Sequence, residues 1–221
     1  MIWRILPGRV RRCLPEAGTV GFKTALALGI VLGLGACALG PLATPHSLSD
    51  QAGIDQAQAA LDRMGGLKAH FVQTGLDGMA EGTAWFETGH LRLEYDAPAR
   101  RIVVATRGRL IVHDEPSDAT TRISLAANPL GLLLSGPVRL SGPIDVTDIQ
   151  RGPTTLQLSL TRASNPAQGL LTLFFAARPD GGLVLSGLEA VDAEHHRTRF
   201  HLLDQQTGQH FDPALFAPTV S

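Results

Sequence analysis

Between Leu67 and Asp114 apolar and polar side chains alternate almost residue by residue, and this pattern restricts the possible folds more than any other stretch of the chain. In Leu91-Arg92-Leu93-Glu94-Tyr95 a period of two places Leu91, Leu93 and Tyr95 on one face of a strand. Arg92 and Glu94 fall on the other face, toward water. Turn signals recur at hairpin spacing: Asp77-Gly78, Gly89, Ala97-Pro98, Arg107-Gly108 and Glu115-Pro116. Short strands at such intervals predict an antiparallel meander rather than parallel βαβ units. A sheet with one apolar face needs an apolar cover, so the question of function becomes what that cover is.

The second half repeats the pattern. Strands are predicted over residues 144–150, 154–162, 169–177, 183–191 and 197–203, with Asp180-Gly181-Gly182 as a hairpin turn. The apolar positions of the second of these, Leu156, Leu158 and Leu160, are pure leucine, and Leu171, Leu173 and Phe175 continue the face on the next. One helix precedes the strands and a second interrupts them. Ser49 or Asp50 offers an N-cap to a helix ending near Met64, with Ile54, Ala57, Leu61 and Met64 on one side. Asn128-Pro129-Leu130-Gly131-Leu132-Leu133-Leu134 places a proline in a first turn and four leucines behind it, so this short helix must be buried or must cover something apolar.

The N-terminal region reads differently. Arg4, Arg9, Arg11, Arg12 and Lys23 precede an apolar run over residues 24–36. That run falls short of the ~20 residues a membrane-spanning helix requires and suits a secretory leader. It ends in Leu34-Gly35-Ala36-Cys37, which resembles the lipobox whose cysteine becomes lipidated; an ordinary leader-peptidase site beside a free cysteine is the alternative. Residues 37–48, rich in Gly, Pro and Ser, read as a flexible tether. Without residues 1–36 the chain keeps 14 of its 19 basic and 19 of its 20 acidic side chains, a net of −5. That balance argues against nucleic acid as a partner. Both cysteines, Cys13 and Cys37, precede residue 49, so the remainder has no disulfide framework.

No catalytic constellation emerges. The folded part has no Gly-x-Ser-x-Gly elbow, phosphate loop or cysteine nucleophile, which predicts a protein that is not an enzyme and carries no cofactor. The cluster Asp192, Glu194, His195, His196 and His201, with His113, Asp114 and Glu115 elsewhere, is the best case for a metal. Neighbouring histidines on a strand diverge, however, and Asp192 to His195 reads more simply as a turn, so no metal site is predicted.

Several short motifs occur in a recognisable order: Phe71-Val72-Gln73 at the end of the first strand, Gly82 to Trp85 as Gly-x-x-Trp, Gly89 to Pro98, and Leu110 to Asp114. Over residues 50–218 this order resembles the Lol-type lipoprotein carriers of Gram-negative envelopes, LolA and its receptor relative LolB. The resemblance implies a mainly β (α+β) fold, a curved antiparallel incomplete β-barrel covered by short helices, spanning residues 49–221. It implies a cavity for acyl chains lined by Phe71, Trp85, Leu91, Leu93, Tyr95 and Leu130. Leu133, Leu158, Leu173, Phe175 and Phe200 complete the expected lining.

The implied ligands are acylated lipoproteins or another lipid, with Lol-pathway proteins as partners and the membrane reached through a lipid on Cys37. The implied setting is the periplasm, at the outer membrane, or the soluble periplasm if Cys37 is unmodified. Two or three acyl chains, together about 45 methylenes, would cost on the order of 35 kcal/mol in water, so they do not cross an aqueous space unaided. A lipid- or glycolipid-sensing module of the same fold, like RseB-type domains, is the competing expectation. One departure bears on role: where LolA carriers show Arg-Pro before the glycine of the Tyr-Asp-Pro block, this chain has Glu87-Thr88. The resemblance assigns that arginine to holding a lid closed, so its replacement favours a LolB-like receptor over a shuttle.

Overall fold

A computed structural model describes residues 47–218. Six strands run as a meander: β1 (Gly66–Gly75), β2 (Gly78–Glu87), β3 (His90–Ala97), β4 (Arg101–Thr106), β5 (Arg109–Asp114) and β6 (Ala119–Ser124). Five more form a second meander: β7 (Ile144–Arg151), β8 (Thr155–Arg162), β9 (Gly169–Ala177), β10 (Leu183–Asp192) and β11 (Arg197–Gln209). Antiparallel pairing of β1 with β11 joins the two into one sheet, ordered β6-β5-β4-β3-β2-β1-β11-β10-β9-β8-β7. Its edges, β6 and β7, do not pair, so the predicted incomplete barrel is the observed architecture.

Curvature follows from irregularities in the ladder. Registers shift between Glu81 and Gly82, between Leu185 and Gly187, and between Val146 and Asp148, and each extra residue bends its strand. Gly82 has a steric role here: a Cβ at this position would run into the Glu94 carbonyl oxygen of β3. This is the glycine of the Gly-x-x-Trp motif.

The concave face holds the core. Phe71, Leu158, Leu160, Leu171 and Leu173 are each 0% exposed, and Phe175 joins them. Across β1 and β11, Phe71 stands opposite Leu202 and Gln73 opposite Phe200, so the rings of Phe71 and Phe200 meet on one side of the sheet with centroids 5.7 Å apart.

Helix α1 (Leu48–Met64) lies on this face, burying Ile54, Ala57, Leu61 and Met64. It starts earlier than the predicted Ser49 or Asp50 cap, because Ser47 is the N-cap and Asp50 is its partner three residues on. The Asp50 N–H donates to Ser47 Oγ at 3.2 Å and the Ser47 N–H to Asp50 Oδ2 at 3.2 Å, a reciprocal capping box. The predicted tether over residues 37–48 therefore ends inside this helix start.

The second cover is the connection between the two sheet edges. From β6 the chain passes through a 3-10 turn, Leu125–Ala127, and α2 (Gly131–Leu134) before reaching β7. Leu132, Leu133 and Leu134 are all buried. Gly131 permits this close packing, since a Cβ there would meet the carbonyl oxygen of Leu125.

On the convex side the structure departs from the expected polar surface. The C-terminal 3-10 turn Pro213–Phe216 packs across β3 and β4. Arg92, predicted to face water, has a side chain only 12% exposed, donating from Nη1 to the Leu215 carbonyl at 3.1 Å and from Nε to Glu94 at 2.6 Å. Alternation assigned Arg92 to the correct face, but period alone cannot show that a distant segment returns to cover it.

Candidate functional site

The concave face and its two helical covers enclose a cavity whose sixteen lining residues are all apolar. From the sheet come Phe71, Phe86, Leu91, Leu93, Leu188 and Phe200, among others; α1 gives Leu61 and Met64; the crossing segment gives Leu130, Leu133, Leu134 and Val138. With no donor or acceptor in its wall, the cavity can distinguish hydrocarbon from water but cannot read a polar group.

Its free volume is about 70 Å³. That is well below the ~300–1,000 Å³ of a typical ligand pocket. The large hollow anticipated from the sequence is therefore mostly filled. The residues that fill it are those of the covers, so admission of a long chain requires α1 and the crossing segment to part from the sheet.

Polar contacts tie these covers together. Gln58 of α1 donates from Nε2 to the Val138 carbonyl at 2.9 Å and accepts the Leu140 N–H at Oε1, also at 2.9 Å. One turn later Asp62 pairs with Arg139 at 3.2 Å, both side chains more than half exposed. The exposed pair contributes little. The amide bridge is part-buried and matches two backbone groups at once. Glu87, at the position where the resemblance expects an arginine, instead faces His210 at 3.7 Å on the convex side.

Of the residues expected to line a cavity, the structure places Phe71, Leu91, Leu93, Leu130, Leu133 and Phe200 in the wall. Leu158, Leu173 and Phe175 share the concave face but lie outside the cavity wall, in the packed part of the core. Tyr95 also lies just outside it, its ring edge-on to Phe71 at 5.0 Å and its hydroxyl donating to Gln73 Oε1 at 2.5 Å. Burial pushes the Tyr95 phenol up to about 12, against the opposing pull of the Arg101 charge. Trp85 stands apart: Ala84 and Phe86 on either side point inward, and Trp85 faces outward with Lys68 Nζ 5.7 Å from its ring centre. The period-two rule that placed Leu91 also excludes Trp85, once β2 is in register with β3. Cys37 and the leader expected over residues 1–36 lie outside the described residues.

The wall also takes in residues beyond the expected lining. Phe86, Leu188 and Leu202 follow from strand alternation, and Leu61 and Met64 from the α1 stripe. Val138 had no signal of its own, because it sits in an irregular stretch after α2.

At the β10–β11 turn, Asp192, Glu194 and His196 bring ligand atoms within 4.8 Å of one another. Asp192 Oδ1 already accepts the N–H groups of Glu194 and His196, each at 2.9 Å, so its geometry is that of the turn. His195 occupies this turn and His201 lies on the exposed strand surface.

Residues 62–219 match the family model described as outer membrane lipoprotein carrier protein LolA. The chain belongs to the LolA family. Among solved structures, a LolA-superfamily protein from Nitrosomonas europaea is 10% identical, with a TM-score of 0.45, over 76% of this chain and 97% of that one. The lipoprotein LppX of Mycobacterium tuberculosis is 13% identical, with a TM-score of 0.40, over 74% and 100%. The MucA/MucB complex of Pseudomonas aeruginosa contributes a chain 17% identical, with a TM-score of 0.38, over 76% and 61%. No curated protein sequence matches. Among the described residues no helix is long and apolar enough to cross a membrane.

Proposed function

We propose that this LolA-family protein binds the acyl chains of lipid-modified proteins between its sheet and its helical covers, for transport to or insertion into the outer membrane. The observation that carries this reading is the wall itself: sixteen apolar residues beneath two covers joined by a single amide bridge and an exposed ion pair. In the closed state the leucines of the covers stand in for cargo. On opening, acyl methylenes replace them, each worth ~0.8 kcal/mol on leaving water, so that the exchange is close to balanced and therefore reversible.

The same proposal places the protein in the periplasm, held at the outer membrane through a lipid on Cys37, with Glu87-Thr88 suiting a receptor better than a free shuttle. Mass spectrometry of the mature N-terminus tests the anchor; an unmodified residue downstream of Cys37 removes it. For the cargo, the protein is purified from its native envelope, its bound lipid is analysed, and it is mixed with liposomes. Lipoprotein that copurifies and passes to the liposomes supports carriage. Lipid that stays bound while altering affinity for a protein partner supports the sensing module instead.

A further inference from the structure

The convex face carries a second concavity, on the other side of the sheet from the apolar cavity. It lies between the hairpin of β4 and β5, strand β6 and the C-terminal turn, with a volume of about 630 Å³. Arg107, Arg109 and Arg122 line it, together with Ile111, Pro213 and Phe216. The pairing puts them on one surface: Arg109 is two residues from Ile111 on β5, and Ile111 stands opposite Arg122 on β6.

Three features separate this groove from an ordinary charged surface. No acidic residue lines it, and none of the three arginines makes an ion pair among the described residues, although the chain from Cys37 onward is net −5. Several other surface arginines are paired, Arg101 with Asp114, Arg139 with Asp62, Arg178 with Asp180, and Arg197 and Arg199 with Glu189, whereas Arg63 and Arg100 likewise make no ion pair among the described residues. Second, Arg107 opens a two-residue hairpin turn with φ of 49°, followed by Gly108 at 73°. Such turns favour Asn, Asp or Gly at the first position, so an arginine there goes against local preference and projects its charge from the strand end. Third, Pro213 and Ile111 give one wall an apolar surface beside the charge, with Phe216 buried beneath it.

From this arrangement we infer that the groove is an anion site that takes a phosphate-bearing group, with its organic moiety against Pro213 and Ile111. Guanidinium forks match the oxygens of phosphate, and three of them suit its several non-bridging oxygens better than the two of one carboxylate. The phosphate can belong to a free ester or to a lipid headgroup; both present the same oxygens. The site is independent of acyl binding, because the sheet separates it from the cavity.

Calorimetric titration of the full chain in non-ionic detergent with inorganic phosphate, glycerol 3-phosphate and glycerophosphoglycerol tests the site. Saturable binding is expected that weakens as salt is added and falls about tenfold or more in R109S/R122S, with R178S as a control that retains it. Strongest binding of glycerophosphoglycerol assigns a lipid headgroup; equal or stronger binding of the other two assigns a free phosphate. R107S, at an exposed turn, gives a second variant whose loss of affinity is expected even if the double variant folds poorly. Leu91→Gln, altered in the apolar cavity, is expected to leave phosphate binding unchanged, so failure of one site does not imply failure of the other. Absence of saturable binding by all three compounds, or native affinity in both R107S and a folded R109S/R122S, overturns the inference.

Discussion

The side-chain amide of Gln58 clamps the crossing segment at Leu140: it accepts the Leu140 N–H at 2.9 Å while donating to the Val138 carbonyl two residues earlier. An amide is suited to this because it carries a donor and an acceptor side by side, and a peptide backbone offers the complementary pair. Gln58 thereby links α1 to a segment some eighty positions away in the chain, and it does so where both would have to move for the cavity to open.

Gln58→Ala is expected to lower stability by about 1–3 kcal/mol, the net worth of two part-buried hydrogen bonds. Hydrogen exchange provides the more specific readout. The amides of Leu140 and of α2 should exchange faster while those of β8 and β9 stay protected, and a fluorescent acyl probe should enter faster. Unchanged exchange at Leu140 would show that the clamp does not hold the covers.

Leu158 and Leu91 separate packing from binding. Leu158 is 0% exposed and lies outside the cavity wall, so Leu158→Ala is expected to cost about 2–5 kcal/mol in denaturant melts. Leu91 is part-exposed in the wall, and Leu91→Gln is expected to leave the fold intact while weakening acyl-probe binding. Equal losses of stability at the two positions would make the wall ordinary core.

Which parts of this were legible in the sequence follows from what sets each of them. Strand faces depend on period, and Leu91, Leu93, Phe71 and Phe200 follow from it directly. Trp85 belongs to the same periodic strand, and alternation turns it outward although the resemblance implies a place in the lining. The start of α1 is less legible than its body, because the apolar stripe begins at Ile54, whereas the capping box at Ser47 and Asp50 is a polar signal further upstream. The Gln58 clamp and the covered Arg92 join residues far apart in sequence, and no local pattern encodes either contact.

Tyr95 is the single tyrosine of the chain, so its phenolate absorbance reports one group. Its midpoint is expected near 12 rather than at the ordinary 10.0, through burial. Since folding favours the protonated phenol, this contribution is complete below pH 10 and is lost as pH rises from 10 through 12, about 3 kcal/mol in all. A midpoint near 10 in the folded protein would mean that the ring is open to water.

The most direct measurement uses a triacylated lipopeptide bearing a photoreactive group on an acyl chain, irradiated with the full chain and mapped by mass spectrometry. Labelling is expected on Leu91, Leu133, Leu134 and Leu202, the wall between sheet and covers. Labelling confined to the convex face, or labelling of the wall that an excess of unlabelled triacylated lipopeptide does not reduce, would contradict an acyl site beneath the helices.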